Sequence, residues 1–105
     1  MHANNTIDLP AAELNIVKAI LQRYVPGLEV WAFGSRIKGT AKKHSDLDLA
    51  LISKQPMELA VLADLSEAFS ASDLNIRIDV VDFARIEKDF QAIIKNNHII
   101  LVELL

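Results

Sequence analysis

Ser45-Asp46-Leu47-Asp48-Leu49-Ala50-Leu51-Ile52 alternates between leucine and smaller or acidic residues along its length. Strand side chains leave opposite faces in turn, so Leu47, Leu49 and Leu51 share one face and Asp46, Asp48 and Ala50 the other. An isolated Asp-x-Asp is more often a water-facing edge than a site. Here the opposite face is fully apolar, which predicts a strand lying on a packed layer and holding two carboxylates away from it.

The chain on either side of this strand reads as alternating helix and strand. Upstream, Leu9 to Tyr24 carries Leu14, Val17, Leu21 and Tyr24 at helical spacing, with Pro10 suited to a first turn and Pro26-Gly27 as the stop. Leu28 to Phe33 is rich in strand formers, and its Trp31 and Phe33 make one face aromatic core. Gly34 ends that strand, Ser35 opens a short helical turn, and Gly39 to His44 forms a basic loop in which Gly39 permits a left-handed backbone. Whether the first two strands are joined as a hairpin or by a crossover is left open by the pattern.

Downstream, Pro56 to about Ser70 is a helix with a stripe of Leu59, Leu62, Leu65 and Phe69, and Asn75 to Val81 is a third strand. Phe83, Ile86, Phe90 and Ile93 form another helical stripe, which ends near Asn96-Asn97. Asp82, just before it, reads as that helix's N-cap and not as a ligand. The apolar tail His98 to Leu105 is either a short edge strand or a segment facing a partner. This order predicts a small α/β domain.

With 105 residues the chain fits one domain over residues 1–105. Its 51% hydrophobic content excludes disorder and leaves apolar surface for a partner. A net charge of −3 gives no electrostatic case for a general nucleic-acid binder. The absence of cysteine excludes disulfides, thiolate zinc sites and a cysteine nucleophile. The polar start at Met1 to Thr6 has no signal-peptide character, and no apolar run approaches the ~20 residues that span a bilayer. The expectation is a cytoplasmic chain without membrane contact.

Asp46 and Asp48 repel each other unless a cation stands between them, and magnesium selects such hard oxygen ligands. A third acid, Asp79, lies in Ile76-Arg77-Ile78-Asp79-Val80-Val81 on the face opposite Ile76, Ile78 and Val80. If both apolar faces pack on one helical layer, Asp79 joins the pair. Three carboxylates can hold two metal ions ~4 Å apart for in-line displacement at phosphorus. Gly34-Ser35 supplies the complement: glycine lets backbone N–H groups approach an anion, and a helix start leaves donors free. Arg36 either clamps a phosphate oxygen or orients an aspartate. Lys42 and Lys43 either attract a triphosphate or form a solvated loop. His44 merely flanks the strand, and Ser45 bonds local backbone.

Taken together, Gly34-Ser35-Arg36-x-x-Gly39, Ser45-Asp46-x-Asp48-Leu49 and Asp79-Val80-Val81-Asp82 resemble the minimal nucleotidyltransferase domains of the polymerase β superfamily. The resemblance runs from about residue 10 to the C-terminus. It implies a small mixed sheet with helices packed on one side. Gly34, Ser35 and Arg36 would form the nucleotide site, Asp46 and Asp48 would bind both Mg²⁺ ions, and Asp79 would be the third carboxylate that helps activate the attacking hydroxyl. The substrate implied is ATP. The extra domain with which larger members hold base and acceptor is not expected here, so acceptor choice is expected to lie outside this chain.

Stand-alone domains of this size resemble the antitoxin of HEPN–MNT toxin–antitoxin pairs. That implies AMP transfer from ATP to a tyrosine of a HEPN-domain ribonuclease toxin, with no direct contact to nucleic acid. Neutralisation by binding and occlusion alone is the second expectation. Transfer to a small molecule, as in antibiotic-modifying relatives, ranks last.

Overall fold

The computed structural model describes residues 7–103. Four strands and four helices follow one another as α1 (Ala11–Tyr24), β1 (Val30–Phe33), α2 (Ser35–Lys38), β2 (Leu47–Leu51), α3 (Leu59–Ser70), β3 (Ile78–Asp82), α4 (Lys88–Asn96) and β4 (Ile99–Val102). The sheet order is β3-β2-β1-β4. β1 pairs antiparallel with both β2 and β4, and β2 pairs parallel with β3 across the α3 connection. The β1–β2 link, left open by the sequence, is therefore an antiparallel return that carries α2 and the basic loop. Of the apolar tail, Ile99–Val102 forms an edge strand, while Leu104 and Leu105 lie outside the described residues.

Strand alternation sorts the residues into two layers. Val30, Ala32, Leu47, Leu49, Leu51, Ile78 and Leu101 turn to one face, where they meet Val17 and Leu21 of α1 and Leu65 and Phe69 of α3. Burying each of the larger side chains among them contributes roughly 1.5–3 kcal/mol against the entropy of ordering the chain. This is the expected mixed sheet with α1 and α3 on one side. On the other face a smaller cluster gathers Ala50, Trp31, Phe33 and Val81 with Phe83 and with Phe90 and Ile94 of α4. The aromatic face of β1 is thus the surface that α4 covers. Trp31 stacks on His98 with ring centroids 3.8 Å apart, and the His98 Nδ1–H donates to the last carbonyls of α4, Ile94 at 3.0 Å and Lys95 at 3.1 Å.

Asp82 requires a correction. It is not a helix cap: α4 begins six residues later, at Lys88, after Glu87. Asp82 ends β3 with its side chain buried, because it faces the same layer as Leu51, its register partner. There its carboxylate accepts the Met57 N–H at 2.7 Å and the Ser53 hydroxyl, and pairs with Arg85 at 3.2 Å. It ties the entry to α3 to the end of the sheet. Phe83 donates its N–H to the Leu51 carbonyl and extends the strand ladder, so the apolar stripe begins before the helix does.

Candidate active site

The acids are brought together by register. In the parallel β2–β3 pair, Asp48 stands directly beside Asp79, flanked by the buried pair Leu47–Ile78 and by buried Leu49 against half-buried Val80. Both carboxylates therefore leave the face away from α1 and α3. Phe33 of β1 is Asp48's neighbour on its other side, so Phe33, Asp48 and Asp79 form one row across the sheet. Asp46, half-buried, precedes β2. Burial pushes the Asp48 carboxyl above its usual range, and the negative charges of Asp79 and then Asp46 push it the same way. Both other acids thus act on Asp48.

Gly34 forms the rim of this row. Its φ of 84° and ψ of −158° are open essentially to glycine alone. A Cβ placed on it would collide with the Asp48 carboxylate. Ser35 follows as the first residue of α2, so that helix begins beside Asp48. At its other end Gly39 is left-handed, at φ 77° and ψ 15°, as the sequence requires, and its N–H closes the helix on the Ser35 carbonyl.

Arg36 faces elsewhere. It is 6% exposed, and its guanidinium grips backbone. Nε and Nη2 donate to the Ser45 carbonyl at 3.1 and 2.9 Å, Nη1 donates to the Asp8 carbonyl at 2.7 Å, and Nη2 also reaches the Lys42 and Lys43 carbonyls at 3.3 Å. Of the two roles read from sequence, phosphate clamp or orienter of an aspartate, the structure supports the second. Arg36 holds the residue before Asp46, and its donors are taken up by carbonyls. Ser45 bonds local backbone as expected, accepting the Lys42 N–H at 2.8 Å. Lys42, Lys43 and His44 are exposed on the loop.

A divalent cation suits this donor set. Asp46, Asp48 and Asp79 offer only hard carboxylate oxygens, and a cation beside Asp48 would favour the ionised form that burial and the charges of Asp79 and Asp46 disfavour. Among the described residues no three such groups are gathered closely enough to hold an ion together. One neighbour was missed by the sequence reading. Ile93, assigned to a core stripe, is 60% exposed and borders Gly34 together with Lys38 and Asn97. Only the packing of α4 across β1 brings them there.

An Asp-x-Asp strand beside a third acid, facing a glycine–serine helix start, defines a nucleotidyltransferase domain. The chain belongs to the polymerase beta nucleotidyltransferase family, whose profile matches residues 15–104. It is 50% identical over 97 residues to the probable protein adenylyltransferase MntA of Haemophilus influenzae (strain ATCC 51907 / DSM 11121 / KW20 / Rd), covering 92% of this chain and 85% of that protein. A chain in the crystal structure of a toxin-antitoxin with AMP-PNP superposes with a TM-score of 0.71 at 23% identity, over 85% of this chain and 72% of that one. One in the crystal structure of the toxin-antitoxin MntA-HepT does so with a TM-score of 0.65 at 19% identity, over 89% and 72%. At those identities the likeness is one of fold. Among the described residues no helix is long and apolar enough to cross a membrane.

Proposed function

We propose that this chain is an antitoxin that transfers AMP from ATP to a tyrosine of a partner HEPN ribonuclease toxin and so neutralises it. The observation that carries the reading is the register pair Asp48–Asp79 with Gly34 packed against Asp48. It sets two of the three acids side by side, one of them against a backbone able to hold phosphate. Half identity to a probable protein adenylyltransferase, and a fold shared with chains of toxin-antitoxin crystal structures, support the acceptor class and the partner.

In this reading the Gly34-Ser35 backbone and the Ser35 hydroxyl hold the nucleotide phosphates. Asp46, Asp48 and Asp79 hold magnesium, which when bound neutralises phosphate charge. Asp79, the exposed member, faces the acceptor and draws the proton from its hydroxyl. The tyrosine oxygen bonds to the α-phosphorus as the bond to pyrophosphate breaks. Arg36 keeps Asp46 in place by fixing Ser45.

Incubating the chain with ATP, Mg²⁺ and the toxin encoded beside it should add the mass of AMP to a toxin tyrosine. No added mass with any nucleotide would reject the reading. Exposed Ile93 and Ile100 favour contact with a partner and keep a second reading in view, neutralisation by occlusion alone. Under occlusion, Asp46→Asn/Asp48→Asn protects as well as the parent at equal dose. Under transfer, it binds the toxin and fails to protect.

A further inference from the structure

β3 ends the sheet on one side, and among the described residues no strand pairs with its outer edge. Two bonds fix the phase of its ladder. The Leu47 N–H donates to the Arg77 carbonyl at 3.0 Å, and the Phe83 N–H donates to the Leu51 carbonyl at 3.0 Å. Alternate residues of a strand bond the same neighbour, so Arg77, Asp79, Val81 and Phe83 turn their backbone groups to β2. Those of Ile78 and Val80 point outward. A groove of about 420 Å³ lies beside them, bounded by Ser66, Phe69 and Ser70 of α3, so that helix leaves the edge open. The edge is charged on one face only. Arg77 and Asp79, both exposed, alternate onto the acid face, while Ile76, Ile78 and Val80 pack toward α1 and α3. Among the described residues Arg77 makes no ion pair within its own chain.

Charges on an open edge commonly forbid pairing. Here they select one partner. Two copies of β3 related by a two-fold axis perpendicular to the sheet pair antiparallel, and residues that meet share a face. Centred on Ile78, the pairing sets Arg77 of each copy opposite Asp79 of the other, and Ile76 opposite Val80. Charge then meets opposite charge, and apolar meets apolar. Ile78, whose backbone groups point outward, faces its own counterpart, and the two exchange both bonds. Centring on Asp79 would set like charges together, and centring on Val80 would set Ile78 against Asp82. We infer that the outer edge of β3 is a self-association surface, across which a second copy of this chain extends the sheet and brings its Arg77 beside Asp79. The added strand lies in the plane of the sheet, about 4.8 Å from β3, and does not cover the face from which the carboxylates rise. Each copy thereby lends a guanidinium to the other's acid row, where it offsets the crowding of negative charge. The pairing requires only the strand edge and its charges, not the chemistry proposed for that row.

Sedimentation equilibrium of the chain alone, without nucleotide or metal, is the test. The parent should be a reversible dimer whose share grows with concentration. Arg77→Asp places like charges at both ends of the pairing, and so does Asp79→Arg; each alters an exposed side chain. Either variant by itself should associate roughly ten- to a hundredfold more weakly than the parent. An equimolar mixture of the two restores both opposite-charge pairs and should recover the dimer, a result that misfolded variants could not give. A monomeric parent overturns the surface, as do variants that associate like the parent or a mixture that stays monomeric. Deletion of residues 1–6 that turns a monomeric parent into a dimer would show the edge covered by the chain's own start, which also overturns it. So would a monomeric parent whose Arg77→Asp variant loses affinity for the toxin, since the edge would then belong to that partner.

Discussion

The guanidinium of Arg36 holds the carbonyl of Ser45 with two N–H groups, at 2.9 and 3.1 Å, from nine residues away. Its remaining bonds reach Asp8 and the loop, so one buried side chain ties the N-terminal segment and the start of β2 to α2. Arg36→Met leaves those carbonyls without their donor and should cost about 2–4 kcal/mol in urea unfolding. Arg36→Lys keeps the charge and loses the fork, so it should fall between the two in stability. If Arg36 instead bound phosphate directly, Arg36→Lys would lower nucleotide affinity at unchanged stability.

Gly34 and Asp48 share one small volume. Gly34→Ala should lower stability by roughly 1–3 kcal/mol from its backbone conformation alone. Contact with the Asp48 carboxylate adds to that. The same substitution in an Asp48→Ala background should cost less, because the colliding carboxylate is gone. A double-mutant cycle by thermal unfolding reads the difference. Strict additivity would show that the two do not touch.

Asp48 also gives the protein a pH signature. Its carboxyl titrates above the ordinary range in the folded chain, through burial first and then the charges of Asp79 and Asp46. The folded state therefore holds this proton more tightly than the unfolded chain does. The resulting stability is present below the unfolded pKa and is lost as pH rises through the folded one. Without divalent ions, Asp48→Asn should melt higher than the parent near neutral pH, and the gap should close on acidification. Magnesium should raise the parent's melting temperature and leave the variant's nearly unchanged. A parent indifferent to magnesium would contradict the carboxylate reading.

Asp82 lies at the far end of β3 from the acid row and holds Met57, Ser53 and Arg85. Asp82→Ala strands the Met57 N–H and the Ser53 hydroxyl in a partly buried site. It should cost about 2–4 kcal/mol, measured by denaturant midpoint. Nucleotide affinity measured well below the melting temperature should stay close to the parent's. A selective loss of nucleotide binding would place Asp82 in the site after all.

The elements were legible because each carries a local period. Leu14, Val17 and Leu21 repeat as a helix must, and Leu47 to Leu51 alternates as a half-covered strand must. The meeting of Asp48 with Asp79 was an inference from two apolar faces seeking one layer, and the parallel register bears out that packing. What local pattern could not show was set by distant contacts. The destination of Arg36 depends on a loop folded back over it, and the use of Asp82 depends on Met57, which is 25 residues away. Phe83 and Ile86 fit a helical period, yet the chain remains in strand and turn until Glu87, because the Phe83 N–H finds the Leu51 carbonyl first. The exposure of Ile93 was equally hidden, since periodicity cannot tell which end of a stripe overhangs the sheet.

Side-by-side strands make the hydrogen-bond ladder a ruler for the two central acids. Neighbouring strands lie about 4.8 Å apart, and a shift of one residue turns every side chain to the opposite surface. One residue inserted between Ile78 and Asp79 would drive the third carboxylate into the aliphatic layer beneath α1 and α3. One inserted in the connection between α3 and β3 leaves the ladder free to keep its alignment. Tolerance to length change in this chain is therefore confined to its joints, and the chemistry is protected by the spacing of the backbone itself.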